Sequence, residues 1–205
     1  PLLLVGGPNW TDADRDALAV FAQRWNLPVA CAFRRQDVID NRNLQYVGHT
    51  SLGMSPKLAE AIRQSDLILA IGTRLGDVVT DGYTLLVPPR IPQKLVHVHA
   101  DVAELGRVYQ ADIAVHATAG DMLRALNAHD APAQLVWADW TTSARRAHEA
   151  FSAAPPLSPQ HKGVNMTAVM QHLSATLPDD AILTNGAGNY SVWLHRFYQY
   201  RSGRT

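Results

Sequence analysis

Five small and polar residues in a row, Asn-Gly-Ala-Gly-Asn, form the clearest candidate for ligand chemistry in the sequence. They lie between an apolar run that ends at Thr184 and an aromatic run that begins at Tyr190. The two glycines allow a ligand to approach the backbone, and the two asparagine side chains can donate hydrogen bonds. Amides at a helix start hold phosphate, so the stretch suits a diphosphate, although an ordinary strand-to-helix turn explains it equally well. The five residues are Asn185, Gly186, Ala187, Gly188 and Asn189.

A second set of candidates follows apolar runs nearer the beginning of the chain. Glycine turns at such positions present backbone amides to phosphate, and an arginine beside them can clamp a diphosphate with two parallel hydrogen bonds. The alternative is that the glycines only permit tight turns and that the arginine forms a surface ion pair with Asp77. A complete Gly-x-Gly-x-x-Gly motif does not follow the first apolar run. The set comprises Gly6, Gly7, Gly72, Arg74 and Asp101.

His97 and His99 alternate along one apolar run and therefore share a face of the predicted strand. A zinc site needs further ligands at a suitable spacing, and the sequence offers no third partner nearby. Packing within the strand explains the pair better than metal binding does. No Ser-His-Asp arrangement has local support, so we predict neither a catalytic residue nor a metal ligand in this sequence.

Alternating strand and helix patterns position these candidates. Continuous apolar strands that are separated by helices predict a parallel sheet covered on both faces. Right-handed crossovers then give a doubly wound, Rossmann-like α/β domain, whose ligands bind at the carboxyl ends of the strands. We expect this domain to cover residues 1–130. The strand patterns are 2–5, 29–33, 67–71, 95–99 and 113–115, and helix patterns begin at Thr11, Ser55 and Asp121.

A smaller second region follows the first domain. Residues 131–163 hold a helix pattern and a proline-rich linker that precludes regular structure. Residues 164–205 show a helix capped by Asn165, a short strand at 181–184 and an aromatic helix at 190–200. Because an exposed aromatic helix is costly, we expect this helix to pack against further domains, or to be mobile or re-packed. The region is therefore predicted to be a truncated second α/β unit.

Composition narrows the possible partners. Lys+Arg and Asp+Glu both number 18, so the net charge is zero, and no basic run attracts nucleic acid or an anionic membrane. No apolar run reaches the ~20 residues of a bilayer span. The single cysteine, Cys31, fits a place in the core and a reducing cytoplasm. The chain begins with Pro1 and ends directly after a helix pattern, which suggests a piece of a longer polypeptide.

Several blocks, taken in order, resemble the thiamine-diphosphate-dependent enzymes typified by acetolactate synthase and benzoylformate decarboxylase. The opening PLLLVGG is similar to the first strand and turn of their central domain. The stretches SDLILAIGTRLGD at 65–77 and KLVHVHAD at 94–101 are similar to two later blocks of that domain. The stretch AILTNGAGN at 181–189 resembles the first strand and turn of their diphosphate-binding domain. Together the blocks cover nearly the whole chain.

The resemblance implies a parent protein of three α/β domains that decarboxylates or joins 2-keto acids with thiamine diphosphate and Mg²⁺. In the family, the turn that matches residues 185–189 touches the diphosphate of the cofactor. The activating glutamate and the Gly-Asp-Gly…Asn motif of the family are not found in this sequence. The fragment is therefore expected to be inactive alone. Homodimers or homotetramers are usual among such enzymes, which favours an oligomer.

Flavin-containing members of the family also bind FAD in the central domain. This sequence departs from them at Pro8, at Val78 and at the two strand histidines, so the question of FAD stays open. Two alternatives from other classes also stay open, namely a stand-alone nucleotide- or dinucleotide-binding module and a structural domain that packs subunits together. The proline linker and the second strand–glycine–helix unit favour the enzyme fragment over the stand-alone module. The positions that match the family's FAD contacts are Gly6, Gly7, Arg74 and Asp101.

Overall fold

A parallel sheet of six strands forms the centre of the computed structural model, which describes residues 1–156, 162–186 and 188–201. The strands lie in the order β3-β2-β1-β4-β5-β6, and every pair is parallel. This order is that of a doubly wound, Rossmann-like fold, so the predicted fold class is confirmed. The strands are β1 (Leu2–Val5), β2 (Val29–Cys31), β3 (Tyr46–His49), β4 (Leu67–Ile71), β5 (Lys94–His99) and β6 (Ile113–His116).

Helices cover both faces of the sheet because the side chains of the central strand β1 alternate between two cores. Leu3 and Val5 pack on one face with Leu18 of the first helix, and Leu2 and Leu4 pack on the other face. Burial of each leucine contributes about 1.5–3 kcal/mol to stability. The helices are α1 (Asp12–Arg24), α2 (Pro56–Gln64), α3 (Ala119–Asn127), α4 (Ala138–Ser152), α5 (Met166–Thr176) and α6 (Ser191–Phe197).

Helix α1 begins where the sequence predicts, because Thr11 and Asp14 form a reciprocal cap. The Thr11 hydroxyl accepts a hydrogen bond from the Asp14 amide at 3.2 Å, and the Asp14 carboxylate accepts one from the Thr11 amide at 3.0 Å. This cap fixes the turn that leads from β1 into α1. The free Cys31 is fully buried at the end of β2, where burial raises the pKa of its thiol, as expected for a core residue.

Strand β3 is absent from the sequence prediction, which treats the neighbourhood of Gly48 as part of a loop. The strand is only four residues long and contains Gly48 at a φ of +118°. A glycine inside a short run weakens any strand pattern. The strand forms because pairing with β2 completes the edge of the sheet and buries Tyr46 and Val47.

Two predictions for the C-terminal region are wrong. Residues 181–184 form no strand, and none of the described strands pairs with them. An extended segment that pairs with no other strand gains little stability. The aromatic helix ends at Phe197 rather than at residue 200, because the Asn41 amide donates to the Tyr200 carbonyl at 2.8 Å and draws the chain into an extended path.

The aromatic residues after Tyr190 pack within this chain. Of the three expected arrangements, namely packing against further domains, mobility and re-packing, the structure shows the re-packed one. Leu194, Phe197 and Tyr198 are buried together with Met170 of α5. Trp193 stays 38% exposed. Of the predicted linker, residues 153–156 carry no regular structure, and its remainder lies outside the described residues. Within the described parts of the chain, no helix has both the length and the apolar character needed to cross a membrane.

Candidate functional site

A cleft of about 650 Å³ opens at the carboxyl ends of the strands, where a doubly wound sheet binds its ligands. A second cleft of about 510 Å³ adjoins it. Both volumes lie in the range of roughly 300–1,000 Å³ that is typical of cofactor pockets. The two clefts share Pro8, Gly72, His99 and Asp101 along their common wall.

The first set of predicted residues gathers at this edge. Gly7, Gly72, Arg74 and Asp101 line the larger cleft. Gly6 lies behind them, where its carbonyl accepts a hydrogen bond from the Trp10 indole at 2.9 Å. The sequence therefore places these positions together correctly, while their contact with a ligand stays a prediction.

The glycines at this edge are required by the protein itself. Gly7 and Gly72 adopt φ values of +76° and +74°, which side chains other than glycine rarely allow. A Cβ on Gly7 would lie 1.9 Å from the Gly72 carbonyl oxygen, and a Cβ on Gly72 would lie 2.5 Å from the Gly6 oxygen. The turns after β1 and β4 thus touch backbone to backbone, which forms the floor of the cleft whether or not a ligand binds.

Arg35 is a cleft residue that sequence reasoning missed. Its guanidinium donates to both carboxylate oxygens of Asp37, at 3.0 and 3.2 Å, and to the Gly7 carbonyl. Asp37 is only 4% exposed, so the pair holds the turn after β2 against the turn after β1. The sequence did offer a signal for this pair: an arginine stands two residues before an aspartate, shortly after a strand.

Arg74 is exposed at the mouth of the cleft. It forms no ion pair with Asp77, or with any other acid among the described residues. The alternative of a surface pair with Asp77 is therefore not what the structure shows. The larger cleft thus combines two guanidinium groups with the carboxylates of Asp77, Asp101 and Glu104, a mixture that suits a ligand with both a diphosphate and hydroxyl groups.

Asp101 and the two strand histidines have local structural roles. The Asp101 carboxylate accepts a hydrogen bond from the Ala103 amide at 2.9 Å and so caps a short 3₁₀ turn. His97 contacts the Thr73 carbonyl through Nε2 at 2.9 Å, and burial lowers the pKa of this histidine. Within the described parts of the chain, no group of three His, Cys, Asp or Glu residues has a metal-binding arrangement.

The second set of predicted residues does not join the cleft. Asn185 lines a separate pocket of about 270 Å³ between the turn after β2 and the C-terminal segment. Gly186, Gly188 and Asn189 are exposed, and Ala187 lies outside the described residues. A Cβ on Gly188 would lie 2.5 Å from the Tyr190 ring, so this glycine makes room for an aromatic side chain. The predicted strand-to-helix turn is therefore not formed in the expected way.

Three histidines meet where the C-terminal segment packs on the sheet. The rings of His49 and His195 lie 5.4 Å apart, and the His148 ring packs edge-on against Tyr46 at 4.9 Å. Burial, and then the neighbouring His195, lowers the pKa of His49 to about 3. Burial, and then Arg145, lowers the pKa of His148 to about 4. Both imidazoles are therefore neutral at physiological pH, which is consistent with packing rather than with charge.

The part of the chain that forms the sheet matches a known protein family. The family described as "thiamine pyrophosphate enzyme, central domain" matches residues 1–126. The chain belongs to the thiamine pyrophosphate enzyme family. The matched residues run from β1 to the last turn of α3 and contain the whole sheet with both clefts.

Curated relatives extend the similarity over the rest of the chain. The chain is 26% identical over 212 residues to an acetolactate synthase of Mycobacterium bovis, covering all of this chain and 33% of the relative. It is 25% identical over 214 residues to the acetolactate synthase large subunit of Corynebacterium glutamicum, again with 100% and 33% coverage. A probable acetolactate synthase large subunit of Methanocaldococcus jannaschii is 24% identical over 213 residues, with 100% and 35% coverage. The chain thus spans about a third of the length of these relatives.

Proposed function

We propose that this chain is the central part of a thiamine-diphosphate-dependent enzyme that acts on 2-keto acids, either joining two of them as acetolactate synthase does or decarboxylating one. The observation that carries the proposal is the family match over the entire sheet, together with acetolactate synthases that align along the whole chain. The 2-keto acid is the small-molecule partner, and a homodimer or homotetramer in the cytoplasm is the proposed assembly.

The proposed division of the chain follows from where the family match ends. Residue 126 lies at the end of α3, which supports a central domain at 1–130. Helix α4 and the proline-rich stretch make up 131–163, and 164–205 is the beginning of the diphosphate-binding domain. In the isolated chain this last part contacts both preceding parts: the Arg196 side chain donates to the Phe151 carbonyl of α4 at 2.7 Å, and the backbone amide of Asn41 donates to the Tyr200 carbonyl at 2.8 Å.

Thiamine diphosphate supplies the electron sink for loss of CO₂ from a 2-keto acid. The residues proposed to contact its diphosphate are those at 185–189, chiefly through backbone amides and the two asparagine side chains. They form only part of a binding site here, because α6 is seven residues long and no strand precedes the turn. The family resemblance implies that Mg²⁺ would be held by a Gly-Asp-Gly…Asn motif, which this sequence does not contain.

The two adjoining clefts are the proposed site of a flavin dinucleotide. The close contact of Gly7 with Gly72 leaves backbone without side chains at the floor, and the exposed Arg74 supplies positive charge for a diphosphate. Asp101 and Glu104 line the same cleft and can accept hydrogen bonds from ribose hydroxyls. We therefore assign FAD to this site as a proposal secondary to the thiamine chemistry.

The decisive experiment uses the product of the complete reading frame that contains this sequence. With thiamine diphosphate, Mg²⁺ and pyruvate, it should release CO₂, and it should form acetolactate if it is a carboligase. Omission of thiamine diphosphate should abolish both. A purified protein without these activities on any 2-keto acid tested would contradict the proposal. A flavin absorption band in the visible spectrum of the same protein tests the FAD site separately.

The stand-alone alternative has its own test. If the chain is a nucleotide-binding module, the 205-residue chain should bind a dinucleotide by itself, and the complete reading frame should contain no further thiamine-enzyme domain. An enzyme fragment predicts the presence of those domains on both sides.

A further inference from the structure

The pocket of about 270 Å³ lies between two parts of the chain that the sequence does not connect. One wall is the turn after β2, and the other is the C-terminal segment before and within α6. Its volume is at the lower end of the range of about 300–1,000 Å³ for ligand pockets, which favours a small ligand over a nucleotide. The polar residues that line it are Arg34, Gln36, Thr184, Asn185, His195 and Tyr200.

Three buried nitrogens of this lining have no hydrogen-bond partner among the described residues. They are the side-chain amide nitrogens of Gln36 and Asn185 and Nδ1 of His195. Gln36 is 2% exposed and His195 is 5% exposed, so water does not satisfy them freely. A buried polar group left unpaired destabilises the folded chain. An acceptor-rich group in this pocket would give a partner to the two amide nitrogens, which can only donate.

The charge of the pocket agrees with this chemistry. Arg34 has a φ of +56°, a left-handed conformation that is uncommon for arginine and that is often found at functional sites. Its guanidinium lies 5.0 Å from the centre of the Phe33 ring and forms no ion pair with an acid among the described residues. No aspartate or glutamate lines the pocket. Positive charge and nitrogen donors therefore face no carboxylate.

Successive side chains of the turn after β2 alternate between this pocket and the cleft. Phe33 and Arg35 line the cleft at the sheet edge, and Arg34 and Gln36 line the small pocket. The two arginines consequently serve different sites. Arg35 already donates three hydrogen bonds, to Asp37 and to the Gly7 carbonyl, whereas Arg34 pairs with no acid among the described residues.

We propose that this pocket binds one oxyanion, the phosphate or carboxylate group of a small acidic metabolite, with Arg34 providing the charge and with Gln36, Asn185 and His195 turning their nitrogens toward its oxygens. The site goes beyond the proposed function: it shares only Asn185 with the proposed diphosphate contact, and its two central-domain donors do not belong to that contact.

Titration of the 205-residue chain with inorganic phosphate and, separately, with acetate tests the proposal, with sodium chloride at equal ionic strength as the blank. Calorimetry should show saturable binding to a single site, and a preference for phosphate or for acetate identifies the group. Gln36→Glu keeps the size of the side chain and introduces a negative charge that repels the anion, so it should weaken binding at least tenfold. Arg34→Gln should do the same. Binding of neither anion below about 10 mM would overturn the proposal.

Arg63→Gln is the matched control, because Arg63 is an exposed arginine on α2, away from the pocket. It should leave the affinity unchanged. An equal loss in Arg63→Gln and Arg34→Gln would show general charge attraction and would contradict a built site. Circular dichroism and the melting temperature report on the fold, and Arg34→Gln keeps the test decisive if Gln36→Glu unfolds the chain. Because no thiamine diphosphate is present, the outcome is independent of the proposed enzymatic activity.

Discussion

Gly7 and Gly106 have nearly the same backbone conformation but very different surroundings. Their φ values are +76° and +78°, yet a Cβ on Gly7 would lie 1.9 Å from the Gly72 oxygen, while a Cβ on Gly106 meets nothing within 4 Å. The left-handed conformation costs alanine about 1–2 kcal/mol at either position. Gly106→Ala should therefore lower the free energy of unfolding by about that amount.

Gly7→Ala should lower the free energy of unfolding by about 1–3 kcal/mol more than Gly106→Ala, because a carbonyl in the backbone cannot move aside. Urea denaturation of the two variants measures the difference directly. Equal losses in the two variants would show that the turns after β1 and β4 can separate.

Protonation of the buried histidines should destabilise the chain in acid. In the unfolded chain an imidazole binds a proton near its ordinary pKa of 6.5, whereas in the folded chain His49 does so only at about 3 and His148 at about 4. The unfolded state thus carries more protons between these values, so the free energy of unfolding falls as the pH drops below 6.5. The slope should reach about 1.4 kcal/mol per pH unit for each histidine.

His49→Gln should remove its share of that slope, whatever it does to stability at neutral pH. His172→Gln, at an exposed histidine of α5, should leave the slope unchanged. Urea titrations from pH 7 to pH 4 measure both. A slope in His49→Gln as steep as that of the unsubstituted chain would show that other groups control the acid response.

At the residue scale, the sequence indicated the edge of the sheet but not its internal contacts. Gly7, Gly72, Arg74 and Asp101 were expected at one site because each follows an apolar run, and they do line one cleft. Arg35 was missed since its partners, Asp37 and the Gly7 carbonyl, are brought near only by the pairing of β1 with β2. Sequence spacing carries no information on such contacts.

One side chain of helix α4, that of Arg145, makes three hydrogen bonds at the edge of the sheet. Nη1 of Arg145 donates to the carbonyls of Asn41, Asn43 and Tyr46, each at 3.0 Å. Arg145→Met keeps much of the apolar stem but leaves these carbonyls without a cationic donor. The free energy of unfolding should fall by about 1.5–3 kcal/mol. Arg146→Met, at the exposed neighbour on the same helix, should change it by less than about 0.5 kcal/mol.

Thermal or urea unfolding followed by circular dichroism distinguishes the two arginines. If Arg146→Met were as destabilising as Arg145→Met, loss of charge from the helix, rather than loss of the carbonyl contacts, would be the cause.

At the element scale, long apolar runs predicted strands well and short or interrupted ones did not. Residues 67–71 and 95–99 were found as strands because four of the five positions in each are buried. Tyr46–His49 was missed because of Gly48, and residues 181–184 were over-predicted because their apolar run has no ladder partner and Ile182 stays 67% exposed. Leu183 contacts the cluster around Met170 without entering a ladder. Pairing partners, which decide such cases, lie far away in sequence.

At the scale of the whole molecule, Asn41 ties the C-terminal segment to the sheet. Its side-chain oxygen accepts from the Tyr200 amide at 3.1 Å, and its side-chain nitrogen donates to the Gln36 and Ile39 carbonyls at 2.8 and 2.9 Å. Asn41→Ala should release the segment while leaving the sheet intact. Hydrogen exchange of amides in α6 and at Tyr200 should speed up at least tenfold, and amides of β1 should keep their protection.

Asn43→Ala provides the comparison, because the Asn43 side chain contacts only the nearby Gln45 amide among the described residues. It should leave exchange in α6 unchanged. Faster exchange in β1 and α6 together after Asn41→Ala would mean that the sheet and the C-terminal segment unfold as one unit.

The number of residues in the turn after β2 decides which side chains line the cleft and which line the small pocket. Phe33 and Arg35 line the cleft, whereas Arg34 and Gln36 line the small pocket. Deleting a single residue at this point would move Arg35 and Asp37 together out of their present positions, so that the cleft would lose the Arg35 guanidinium from its wall. A one-residue deletion in this turn would thus alter both the cleft and the small pocket, although none of the side chains that line them had been substituted.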